Sequence, residues 1–171
     1  MTKVTKAEPW LRGTLGDIPA VHRAVLHAFE LAEEDITRWC EGLRVEEWNA
    51  QPGGVACVAF HLRHIARSAD RLLTYAEGRA LSEKQMTELK AEKGVCISTE
   101  EELTELRSAL EKAASRVRVL VGEDLEASRT VGRELLPTSL GGLLVHVAEH
   151  TQRHVGQAIT TAKVVRAARR T

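Results

Sequence analysis

Aromatic side chains are scarce in this chain, at 4% of 171 residues. With Ala, Leu, Val, Glu and Arg dominant, the composition favours helix over sheet. Cysteine is sparse as well. Cys40, Cys57 and Cys96 are an odd number without a CxxC spacing, which excludes a disulfide framework and reads as the reduced thiols of a cytoplasmic protein. Neither charge sign prevails: 24 Lys and Arg balance 24 Asp and Glu, so nothing electrostatic argues for nucleic acid as a partner. No apolar run approaches a membrane span, and the polar, mixed opening MTKVTKAEPW lacks the pattern of a signal peptide.

Several catalytic motifs are missing too. There is no glycine-rich phosphate loop; the pairs Gly53-Gly54 and Gly141-Gly142 read as punctuation at helix starts. No Gly-x-Ser-x-Gly elbow supports serine-hydrolase chemistry. The zinc-protease spacing HExxH fails because Glu149 precedes His150. Cys57 falls one turn from His61, but a buried structural thiol is the plainer reading.

Helical periodicity is what the chain does have. A first helix is expected from Asp17 as N-cap to about Glu41, with Val21, Val25, Phe29, Ala32, Ile36 and Trp39 at steps of three and four. RVEEWNAQPGG reads as a loop. A second helix runs from about Val55 to Glu77 before Gly78, with Val58, Leu62, Ile65, Ala69 and Leu72 as its apolar stripe. A short helix fits Ser82 to Lys90. The capping pattern STEEEL opens a third long helix reaching about Val121, and a fourth starts near Thr138-Ser139 and continues to about Ala168. TVGRELLP reads as extended with nothing to pair with it. The expectation is all-α: one helical domain over 1–171, a four-helix bundle with an N-terminal arm (1–15) and a basic, fraying helix end (163–171).

Within the fourth helix, HVAEHTQRHVGQA places His146, His150 and His154 four residues apart, on one face. Imidazole is the commonest side-chain metal ligand, and two of them one turn apart can chelate a divalent ion. A single helical histidine is usually a surface or hydrogen-bonded residue; a ridge beside Leu143, Val147 and Val155 is a stronger signal. His61 and His64 add a second pair in the second helix. His22 and His27, five apart in the first, share no face well and read as surface residues.

RHIARSAD in the second helix and EHTQRHVGQ in the fourth together resemble the DinB-like family of metal-binding four-helix bundles. The resemblance covers most of the chain, including the WNAQPGG loop. It implies a metal site between the second and fourth long helices, made of one second-helix histidine and the HxxxH pair of the fourth, binding nickel, zinc or iron. Carried over by position, these are His64, His150 and His154. A helical wheel turns His61 closer to the apolar stripe than His64, so His61 stays as the alternative. His146 has no ligand role in the family pattern and falls one turn beyond the metal.

The resemblance also implies an activity, since the family includes thiol-dependent transferases of the bacillithiol type. The expectation is a metal-dependent thiol S-transferase or related enzyme, with a low-molecular-weight thiol as cofactor and a small-molecule substrate. Hydrolysis is the less favoured reaction. Gln157 could orient a ligand, and Glu149, Asp70 and Ser68 are candidates to receive an imidazole N–H, with exposed ion pairs the plainer reading of Glu149 and Asp70. Arg63, Arg71 and Arg153 would meet an anionic thiol if they face a pocket mouth, and read otherwise as ordinary solvated arginines. Tyr75 is a packing residue that could rim that pocket. The alternative is a non-catalytic, stress-related protein holding metal or a small molecule, which predicts a closed or narrow pocket. A purely structural bundle predicts imidazoles spread apart. A homodimer through outer helix faces is the lean for assembly, and no membrane partner is expected.

Overall fold

The apolar stripes become helices in the computed structural model, which describes residues 7–169. In chain order they are α1 (Ala20–Cys40), α2 (Val45–Asn49), α3 (Val58–Ala76), α4 (Glu83–Ala91), α5 (Thr99–Val119) and α6 (Leu140–Ala168). A hairpin of β1 (Ser128–Val131) and β2 (Leu136–Ser139) precedes α6. The four long helices form a ring in which α6 packs between α1 and α3, and α5 joins α3 back to α1. Long helices that follow one another in the chain, α1 and α3 or α5 and α6, therefore stand diagonally. Leu26, Ile36, Leu62, Ile65, Leu73, Leu106, Leu140 and Leu144 are fully buried at the centre. At roughly 1.5–3 kcal/mol per side chain of this size, burial rather than intrinsic propensity holds the helices.

Caps set the ends. Ser82, Ser98 and Ser139 each accept a hydrogen bond from the backbone N–H three residues on, at Gln85, Glu101 and Gly142. Gly78, at φ 72°, ends α3 in the left-handed conformation as its sequence position suggests. Gly141 is more than punctuation: a Cβ there would stand 3.1 Å from the Leu125 carbonyl oxygen, which already accepts the Gly141 N–H at 2.7 Å.

Several expectations are corrected. α1 begins at Ala20 with Pro19 as N-cap, because the residue before a proline is pushed out of the helical region and Asp17 stays in the preceding turn. Part of the RVEEWNAQPGG loop coils into α2, which buries Trp48 and Glu47. TVGRELLP does find a partner, itself: a tight reversal pairs Val131 with Leu136 and Arg129 with Thr138. The basic end does not fray within the described residues. Arg169 pairs with Glu47, Arg166 donates to the Glu41 carbonyl at 2.6 Å, and Lys163 sits over the Trp39 ring. His22 and His27 are buried, not superficial; His22 Nε2 meets the Leu120 carbonyl oxygen at 3.1 Å and His27 Nε2 the Thr14 hydroxyl at 3.2 Å. Among the described residues no helix is long and apolar enough to cross a membrane.

Candidate metal centre

Packing of α3 against α6 brings two pairs of histidines face to face. His64 from α3 and His150 and His154 from α6 each offer a nitrogen such that all three atoms lie within 4.8 Å of one another. The ring of His64 lies 4.3 Å from that of His154 and 5.0 Å from that of His150, centroid to centroid. His64 Nε2 and His150 Nε2 are 3.4 Å apart. His61 stands outside this group, one imidazole further along, with its Nδ1 3.1 Å from His154 Nδ1. His146 is turned outward, its Nδ1 donating to Glu149 at 2.7 Å.

Protons are assigned by what surrounds the rings. His64 Nδ1 lies 2.7 Å from a carboxylate oxygen of Glu92, whose other oxygen accepts from Arg71 at 2.7 Å. Burial opposes ionisation of Glu92, but the bonds from His64 and Arg71 more than offset it and hold the carboxyl below its ordinary range. An ionised carboxylate only accepts, so His64 Nδ1 carries the proton and Nε2 presents its lone pair. Ser68 does the same for His150: its hydroxyl donates to the Ile65 carbonyl at 3.3 Å, which leaves an oxygen lone pair 3.4 Å from His150 Nδ1. Burial pushes His61, His150 and His154 down to about 4, and repulsion from His64 whenever that ring is protonated adds to the effect in each. They are neutral at pH 7.

This donor set fits a divalent ion. Two Nε2 lone pairs facing each other without a proton between them repel, and a cation placed between them removes the conflict. Bonds of about 2.0–2.1 Å at a tetrahedral ion put two ligand nitrogens about 3.4 Å apart, which the His64 and His150 spacing matches. The carboxylate and hydroxyl behind the rings hold them as outer partners hold imidazole ligands in metal sites.

The sequence matches the DinB superfamily over residues 28–158, which runs from the middle of α1 through most of α6 and includes His61, His64, His150 and His154. The chain belongs to the DinB superfamily. A similar solved structure is YfiT from Bacillus subtilis, described as a probable metal-dependent hydrolase with an unusual four-helix bundle topology. It is 17% identical, with a TM-score of 0.60 over 82% of this chain and 85% of that one. At that identity the likeness shows the fold, the four-helix bundle. No curated protein matches the sequence.

Around this DinB cluster, the other residues singled out in the sequence separate. Ser68 touches His150, whereas Glu149 pairs with His146 and Arg153, and Asp70 with Gln85 and Arg116. Arg63 and Arg71 do not face a pocket mouth; both are buried, paired with Glu102 and Glu92. Tyr75 borders a different cavity, toward the hairpin. Cys57 is buried. Arg153 and Gln157 do line an 830 Å³ cavity between α6 and the start of α3, together with His61, His154 and Phe60. The Phe60 ring is stacked on that of His64, so this cavity ends against the cluster.

Glu92 is the residue that sequence reasoning missed. It carried a signal: an acid at the C-terminal end of α4, with Glu88 one turn earlier, opposes both the helix dipole and its like-charged neighbour. A carboxylate in so poor a local setting has its partners elsewhere in the fold.

Proposed function

We propose that this DinB-superfamily protein holds a divalent transition metal (nickel, zinc or iron) on His64, His150 and His154, and is a metal-dependent enzyme that activates a small nucleophile. Three neutral ligands leave an ion with positions for other molecules, and such an ion acts as a Lewis acid that lowers the pKa of a thiol or water. The observation that carries the reading is the cluster itself: three imidazole nitrogens within 4.8 Å of one another, two of them with the outer ring nitrogen already committed.

The chain's own residues have defined tasks. Glu92, held by Arg71, keeps the proton of His64 on Nδ1, and Ser68 does so for His150. His154 offers Nε2 when its Nδ1 donates to His61 Nδ1, which gives His61 an orienting role rather than a ligand role. The cavity wall positions the substrate, with Arg153 and Gln157 as its polar groups next to His154.

A thiol S-transferase is the first form of this reading, with a low-molecular-weight thiol as nucleophile. Hydrolysis is the second, favoured by the description of YfiT as a probable metal-dependent hydrolase. The non-catalytic alternative expects a closed or narrow pocket, and a cavity of 830 Å³ supports the enzyme instead. Metal analysis of untagged protein, followed by titration with nickel, zinc and iron(II), tests the site. One ion per chain is expected; no stoichiometric uptake of any of them ends the proposal. Loaded protein given an electrophile with and without small thiols then separates transfer from hydrolysis.

A further inference from the structure

We infer that the 830 Å³ cavity beside the histidine cluster binds a small apolar monoanion, its charged head at the His154 end and its body along Val55, Phe60 and Val164. This rests on the metal reading above and names the class of molecule that site takes.

The walls decide the body. Val55 and Val164 expose about half of their surface at the cavity rim, an arrangement suited to covering an apolar ligand. The two threonines of the wall present little polarity. Thr160 donates its hydroxyl to the Gly156 carbonyl at 2.9 Å and Thr161 to the Ala56 carbonyl at 3.2 Å, so both hydroxyl protons are already committed. The volume lies inside the range of about 300–1,000 Å³ typical of small-molecule sites.

Charge decides the head. Among the described residues no carboxylate lines the cavity, so a cationic ligand would find no counter-charge there. One arginine does, Arg153, and one of its terminal nitrogens is already taken by both oxygens of Glu149. A single, partly engaged guanidinium suits one negative charge and not the two or three of a phosphate, which draws several donors. At the neighbouring cluster, imidazoles ligate a metal as neutral groups and bring no charge of their own to balance a divalent ion. An anionic head completes that balance, and an uncharged one does not.

Calorimetric titration of full-length, zinc-loaded protein with octanoate, 1-octanol, octylammonium and octyl phosphate tests this, with octanoate into metal-free protein as the fifth arm. Octanoate should bind the zinc form with a Kd about tenfold or more below that of every other arm. Val164→Asp, at an exposed position remote from the cluster in sequence, should weaken octanoate about tenfold at unchanged zinc content, while Val164→Leu keeps it. Equal binding of octanol, tighter binding of octyl phosphate, or indifference to V164D overturns the inference. Zinc uptake without octanoate binding defeats it alone; no zinc uptake defeats the metal reading with it.

Discussion

Two pairs of histidines can be compared within this bundle, one on α1 and one on α3. His22 and His27 of α1 are each buried and each bonded to an ordinary neighbour, a backbone carbonyl and a threonine hydroxyl. His61 and His64 of α3 meet other imidazoles instead, His154 and His150. Depth is not the difference, since His22 is as deeply buried as His61. What distinguishes α3 is that imidazole faces imidazole, and that a carboxylate and a hydroxyl behind the rings have settled where the protons go.

The sharpest way to break the comparison is to remove one side of it. His150→Ala/His154→Ala should abolish stoichiometric metal binding, with a loss of affinity beyond about a hundredfold, measured by elemental analysis after gel filtration. His22→Leu/His27→Leu should keep one ion per chain. Metal lost equally in both variants would erase the distinction.

A subtler cut acts on the proton assignment. Glu92→Gln keeps the shape but replaces an acceptor-only carboxylate with an amide able to donate. Metal affinity should drop about tenfold, the lower end for the loss of an outer partner to a ligand histidine. In the metal-free variant, nitrogen NMR of the side chains should show His64 losing its fixed Nδ1–H form. An unchanged tautomer would deny Glu92 this role.

Acidity should separate the two regions as well. His61, His150 and His154 sit at about 4 in the folded protein against an ordinary 6.5, so between those values the unfolded chain binds more protons than the folded one. Stability of the metal-free protein should therefore be full above about pH 6.5 and decline as pH falls toward 4. Thermal melts of His150→Ala across this window should show a shallower decline than wild type. The smallest effect belongs to Ser68→Ala, whose long contact to His150 predicts a loss of metal affinity of only a few-fold, read in a chelator competition.

The four long helices were legible because each repeats its apolar residues at helical spacing and carries a start or stop signal, such as Ser139 before α6 or Gly78 after α3. The hairpin was not. Four of its eight paired residues are exposed and none is buried, so no apolar face marks either strand, and their partnership is fixed by the reversal at 132–135. The helical wheel correctly turned His61 deeper than His64, yet His64 is the one inside the three-histidine group. Burial and facing are separate properties, and a wheel reports only the first. Arg63, Arg71 and Glu92 illustrate the remaining limit: their burial depends on partners 39, 21 and 28 residues away, invisible to local spacing.

The position of α6 between α1 and α3 has a consequence for how the protein comes into being. His64 and His150 are separated by 86 residues, and the helix that brings them together is synthesised after the other three long helices. Until α6 is made, the growing chain holds only one of the three clustered histidines, and α1 and α3 lack the surface that separates them. An ion captured by all three histidines is then bound only by a finished molecule, so loading follows assembly and favours the completed fold over every shorter one.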